Sequence, residues 1–217
     1  MSSFLLKIIA FISMVIDHSS TLIDNNLLIC IGRIAFPIFA FQTTISYQKT
    51  KNRKKYLLKL LIFALISEMP YRLLFGNSSF NILFTLLLGN ICMIIYDKIK
   101  EKSLSIVLIL LISILASGIR IDYGYYGIWM IVLFYIFRNN KLLQNISIIL
   151  LMIMYFSIGL LIYETTIYNQ LSLFIFSLIS LLIINLYNGK EGKKTGYLFY
   201  ILYPLHLIIF YIIKRML

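Results

Sequence analysis

The chain has 217 residues, of which 61% are hydrophobic and 13% charged, and its mean hydropathy is +0.93. No stretch is polar enough for a soluble domain, so residues 1–217 are expected to form one polytopic membrane domain. The net charge of +12 would point a soluble protein toward nucleic acid, but the cations gather in alternate loops as insertion demands, which makes the lipid bilayer the expected partner and nucleic acid an unexpected one.

A spanning helix takes about 20 apolar residues. In chain order, segments are predicted at residues 5–23, 27–46, 56–75, 80–96, 104–119, 124–137, 146–162, 171–187 and 196–213. The expected fold class is therefore all-α, a polytopic integral membrane helix bundle of about nine transmembrane helices, with about eight to ten compatible. The first segment carries Asp17 and His18 and no clear small-residue cleavage site follows it, so a retained anchor is expected. The sixth is short, and a tilt or break is expected there. Cys30 and Cys92 fall inside predicted spans without a CxxC or a His-rich neighbourhood, so neither a disulfide framework nor a metal site is expected.

Loop charges give an orientation. Lys49, Lys51, Arg53, Lys54 and Lys55 follow the second segment, Lys98, Lys100 and Lys102 the fourth, Arg138 and Lys141 the sixth, and Lys190, Lys193 and Lys194 the eighth. The loops around Asp24, residues 76–79, Asp122 and Glu164 carry almost none besides Arg120, which places the N-terminus in the cytoplasm. Lys214 and Arg215 dissent, since nine crossings would leave them outside.

Asp17, His18, Arg33, Glu68 and His206 lie inside apolar segments, where an ionisable group costs about 2.5–3.5 kcal/mol at the centre and usually has a function. At about 1.5 Å per residue, Asp17 and Glu68 lie roughly 18 Å from the cytoplasmic ends of their helices, Arg33 about 21 Å and His206 about 15 Å above the same face. One polar layer is expected, continued outward by Arg72, Asn81, Arg120 and Asp122. Glu68 and Arg72, at i,i+4 with the acid first, are also able to neutralise one another and do nothing else. Asp17 and His18 point about 100° apart and must each find a partner on another helix. Asp17 shares its face with Ser13, Ser20 and Asp24, and Arg33 or Arg72 is its natural counter-ion. Pro37, Pro70 and Pro204 stand two to four residues from Arg33, Glu68 and His206 and are expected to open their helices locally. The run from Asp122 and Tyr123 to Gly127 reads as a turn with aromatic interface anchors. The two histidines are the groups suited to proton exchange near neutral pH.

The strings LKIIAFISMVIDHSS, IGRIAFPIFAF, YLLKLLIFALISEMPYRLLF, NILFTLLLG, DYGYYGI and LFYILYPLHLIIF resemble, in order and spacing, the TraX family of integral-membrane acetyltransferases, over nearly the whole chain from Leu6 to Phe210. Asp17, His18, Arg33, Pro37, Glu68, Pro70, Arg72, Asn81, Asp122, Tyr123, Gly124, Gly127, Pro204 and His206 fall on the matching motifs. Residues 139–195 match least and are expected to be scaffold. The resemblance implies transfer of an acetyl group from cytoplasmic acetyl-CoA, a co-substrate with no metal, to an amine or hydroxyl of an extracytoplasmic peptide, pilin or glycan, by a protein of the bacterial cytoplasmic membrane. On that expectation His18 is the general base or nucleophile, His206 the second choice, and Asp17 orients a histidine or balances an arginine. Arg33 and Arg72 would stabilise an oxyanion or hold a phosphate. Glu68, Asn81, Asp122 and Tyr123 would line the substrate site, and Lys51, Arg53 and Lys54 would meet the CoA phosphates, although the positive-inside rule already accounts for them. A proton-coupled transporter would place the same residue types at mid-depth, and a non-catalytic component of a pilus or conjugation apparatus would tolerate loss of both histidines.

Overall fold

The computed structural model describes residues 1–76, 79–162 and 166–217, and these are helical almost throughout. Asn77 and Glu164, expected in outer loops, lie outside the described residues. In chain order the helices are α1 (Ser3–Ser19), α2 (Asn26–Gly32), α3 (Ala35–Lys49), α4 (Arg53–Phe75), α5 (Ile82–Lys98), α6 (Lys102–Gly118), α7 (Gly124–Ile136), α8 (Lys141–Ile162), α9 (Ile167–Asn185) and α10 (Leu198–Met216). Each predicted segment coincides with one helix, except the second, which α2 and α3 divide. Among the described residues, four stretches suffice by length and composition to cross a membrane: Asn26–Lys49, α8, α9 and α10. Of the rest, α1, α5 and α6 have 17 residues each and α7 has 13, while α4 carries Arg53, Lys54, Lys55, Lys59, Glu68 and Arg72. The apolar sequence thus gives an all-α membrane protein.

Asparagine, serine and threonine caps start several of the helices. Asn25 Oδ1 accepts from the Leu27 amide at 2.9 Å, Asn52 Oδ1 from Lys55 at 2.9 Å and Asn81 Oδ1 from Leu83 at 3.0 Å. Gly76, at φ 84°, stops α4 with its amide on the Arg72 carbonyl. The break between α2 and α3 has a local sequence cause. Pro37 lacks the N–H that would meet the Arg33 carbonyl, and the chain tightens, Arg33 N bonding to the Cys30 carbonyl and Ile34 N to the Ile31 carbonyl. Pro70 and Pro204, in contrast, sit inside continuous helices, so the opening expected at each stops short of a break. The stripe expected from Ser13 through Asp24 is also shorter than anticipated. The hydroxyls of Ser19 and Thr21 bond back to the Ile16 and His18 carbonyls, and this local competition ends α1 at Ser19, leaving Ser20 and Asp24 beyond the helix.

Two compact units divide the chain: residues 1–42 with 145–217, and residues 43–144. In the first, α1 packs on α2 and α10, and α2 on α9. Phe156 of α8 meets Phe174 of α9 edge-on at 5.9 Å. In the second, α5 is central and contacts α4, α6 and α7. Cys92, Ile109, Ala116, Ile121, Ile128 and Val132 form its core, and an added Cβ on Gly89 would run into Ile131, so this glycine is what lets α5 and α7 approach. The exposed side chains of α4 include Leu58, Leu61, Ile62, Leu65, Ile66, Met69 and Leu73. That apolar outer stripe suits a bilayer.

Candidate functional site

The first unit joins Asp17, His18, Arg33 and His206. Arg33 Nη2 donates to Asp17 Oδ1 at 2.9 Å, and Arg33 Nε donates to the Ile29 carbonyl at 3.2 Å. Of the two counter-ions expected for Asp17, Arg33 is the one it holds, placed as the cap residue that ends α2. Gly32 makes the pair possible. A Cβ there would lie under 3.0 Å from Asp17 Oδ1, Cγ and Cβ, so α1 and α2 touch at this glycine, and Ser13 Oγ fastens them again by donating to the Ile31 carbonyl at 2.6 Å.

One residue further along α1, His18 turns to α10. Its Nδ1 lies 2.7 Å from His206 Nε2, with the ring centroids 4.9 Å apart and 10° between their planes. His206 is buried, with Phe11 and Phe210 edge-on to its ring at 5.7 and 6.2 Å. Its Nδ1 lies 3.0 Å from the Leu202 carbonyl, and that contact fixes the tautomer. A carbonyl only accepts, so His206 carries its proton on Nδ1 and presents a lone pair at Nε2; neutral His18 then donates from Nδ1 and bears its own lone pair on Nε2.

The second unit holds Glu68, Arg72, Asn81, Asp122 and Tyr123. Arg72 Nε donates to Glu68 Oε1 at 2.6 Å, the i,i+4 pair of the sequence, and the Arg72 guanidinium lies 5.1 Å above the Phe80 ring. Glu68 Oε2 accepts the Asn81 side-chain amide at 2.7 Å and its backbone N–H at 3.2 Å. Asn81 Nδ2 also donates to the Ala64 carbonyl at 2.8 Å. Asn81 is fully buried, and with its oxygen capping α5 it ties α4 to α5. Asp122 contributes backbone: its N–H bonds to the Phe80 carbonyl at 2.9 Å, and its carbonyl accepts the Thr85 hydroxyl. Tyr123, in the left-handed region at φ 60°, turns the chain into α7, and Gly124 follows at φ 41° with no room for a Cβ beside Ser117 Oγ. Lys51 and Lys54 are exposed; Arg53 pairs with Asp97 at 3.2 Å.

Sequence reasoning missed Gly32 and Asp97. The glycine stood inside a quoted string, IGRIAFP, and its place between Asp17's partner and the helix end was the available signal. Asp97 stood in a charged connection that looked like ordinary topology marking.

The fold and this site define a class: an all-α membrane protein with a histidine pair, His206 buried and His18 half-buried, beside an arginine–carboxylate pair. Residues 2–214 match the TraX family, described as TraX protein, and the chain belongs to that family. It is 30% identical over 234 residues to a protein of Dichelobacter nodosus named as probable fimbrial assembly protein FimC, serogroup H1, an alignment covering 95% of this chain and 93% of that relative. No solved structure matches.

Proposed function

We propose that the protein is an acetyltransferase of the cytoplasmic membrane that moves an acetyl group from acetyl-CoA to an amine or hydroxyl of an acceptor presented outside, and that the acceptor is a pilin or another surface molecule. Nine crossings with the N-terminus inside, drawn from the loop charges, accompany this reading. The observation that carries it is the 2.7 Å contact between His18 Nδ1 and His206 Nε2, one residue from the Asp17–Arg33 pair. The fimbrial name of the relative supports a pilus-related acceptor.

In this reading His18 Nε2 takes the proton from the attacking amine or hydroxyl as that atom bonds to the thioester carbonyl carbon. The positive charge arriving on His18 is shared through Nδ1–H with His206, whose own Nδ1–H is anchored on Leu202. The carbon–sulfur bond then breaks, and the proton on His18 goes to the departing thiolate. Arg33, held by Asp17, places a fixed cation beside the pair for the oxyanion of the tetrahedral intermediate. Asp17 is a positioning residue here.

A hydrogen-bonded histidine pair would equally serve a proton-coupled transporter. Purified protein in detergent, given acetyl-CoA and a panel of amine and hydroxyl acceptors, is expected to release CoA thiol and acetylate an acceptor, while sealed proteoliposomes show no proton-driven solute uptake. Uptake without any acetyl transfer would reverse the assignment.

A further inference from the structure

In the second unit, where α3 ends, α4 begins and α5 and α7 finish, one carboxylate gathers three donors. Asp97 Oδ2 accepts the Tyr47 hydroxyl at 2.7 Å and pairs with Arg53 Nη2 at 3.2 Å, and Asp97 Oδ1 accepts the Tyr135 hydroxyl at 2.7 Å. The two tyrosines are buried and meet edge to face, centroids 5.2 Å apart at 90°. Each carries an arginine on a face: Arg53 lies 4.3 Å from the Tyr47 centroid and Arg138 4.3 Å from that of Tyr135. Arg138 is further fixed by Nη1 donating to the Tyr135 carbonyl at 2.8 Å.

The positive-inside rule asks only for charge on this side and is satisfied by mobile lysines. It does not ask for two guanidinium groups stacked on a shared tyrosine pair. Lys102 shows the contrast: it also lies over a tyrosine, Tyr96, but its ammonium caps the Tyr96 and Ile99 carbonyls. Arg53 gives Asp97 one of its nitrogens and Arg138 gives Tyr135 one of its own, so each exposed side chain keeps further N–H groups, and the cluster holds two arginines and one carboxylate. Planar, pre-oriented arginines of this kind match phosphate oxygens bidentately.

We propose that Arg53 and Arg138, lying over Tyr47 and Tyr135, the two rings whose hydroxyls Asp97 joins, form a binding site for a phosphate group. Two sources carry that chemistry on this face of a membrane protein: the phosphates of a nucleotide such as the acyl donor, which rests on the reading above, and the headgroup of an anionic phospholipid, which does not.

The test uses the full chain and two double variants, Arg53→Lys with Arg138→Lys and Arg53→Gln with Arg138→Gln. The lysine pair keeps the inserting charge and guards against misfolding. Calorimetry in detergent reads binding of inorganic pyrophosphate and coenzyme A, and native mass spectrometry reads retention of phosphatidylglycerol against phosphatidylcholine. Wild type is expected to bind at least one of the three phosphate probes, with the lysine pair weaker and the glutamine pair weaker by about tenfold or more, the value of one charge-assisted hydrogen bond. Weakening confined to pyrophosphate and coenzyme A assigns a nucleotide, and weakening confined to phosphatidylglycerol assigns a headgroup. Wild-type binding to none of the probes, or lysine and glutamine pairs that bind as wild type does, overturns the site. Because His18 takes no part in it, a failed acetyl-transfer assay leaves this result standing, and an unaltered binding curve leaves the acetyltransferase reading standing.

Discussion

Gly32→Ala is the sharpest perturbation of the site. The added methyl would fall under 3.0 Å from three atoms of Asp17, among them its Cβ. A rotamer change moves Cγ and Oδ1 but leaves Cβ where the α1 backbone puts it, so the helices themselves must part. Overpacking of this kind costs about 1–3 kcal/mol. Separating α1 from α2 also strains the 2.9 Å Asp17–Arg33 bond and the 2.6 Å bond from Ser13. With side-chain exposures of 24% and 21%, the ion pair is neither fully buried nor at the surface, and about 1 kcal/mol is appropriate for its weakening. A total near 2–4 kcal/mol is expected, opposite to Gly118→Ala, where an added Cβ meets nothing within 4 Å and the gain in helix propensity is a few tenths to about 1 kcal/mol. Thermal unfolding of the purified proteins in one detergent reads the comparison. A further result follows from the geometry: because the clash includes Cβ, Asp17→Ala does not rescue Gly32→Ala, whereas Asp17→Gly relieves it. Equal stability of Gly32→Ala and Gly118→Ala, or rescue by Asp17→Ala, would refute the reasoning.

Asp17→Asn is expected to lower stability or activity by leaving Arg33 without its anion, and adding Arg33→Gln should restore stability while adding Arg72→Gln should not, because Arg72 is engaged with Glu68; a double-mutant cycle with no coupling between Asp17 and Arg33 would contradict this. Asn81→Ala removes two side-chain donations and the cap of α5 from a fully buried position, and a loss of about 2–4 kcal/mol is expected in urea-titrated or thermal unfolding; a loss below about 1 kcal/mol would mean the α4–α5 tie is not made. For topology, single cysteines at Lys51, Asn77 and Glu164 in a variant lacking Cys30 and Cys92 should label from outside only at the last two, and outside labelling at Lys51 would invert the assigned orientation.

Hydropathy made the helices legible because burying a backbone in lipid leaves no alternative to intrahelical hydrogen bonding. The edges of α4 fell within a few residues, marked by the caps at Asn52 and Gly76, whereas the start of α8 lies five residues ahead of the expected 146 despite its Asn140 cap. The break at Arg33 was less legible, since Pro37, which marks it, stands four residues downstream and could as well have kinked a continuous helix, as Pro70 and Pro204 show. Depth arithmetic placed Asp17 and Arg33 near the same level, and the structure joins them directly. Spacing alone could not say which of two arginines Asp17 holds, nor that His18 meets His206, since both are choices among helices distant in sequence. The Asp97 cluster was hidden for a different reason: its arginines satisfy a rule about insertion, so their stacking on Tyr47 and Tyr135 left no separate trace.

The central claim is that His18 and His206 act together in acetyl transfer, and the most direct measurement is acetyl transfer by His18→Ala and His206→Ala proteins that insert normally, stay monodisperse in detergent and still bind coenzyme A. His18→Ala is expected to abolish transfer, and His206→Ala to reduce it by a similar factor because the two rings share the proton. Full activity in His18→Ala would contradict the account.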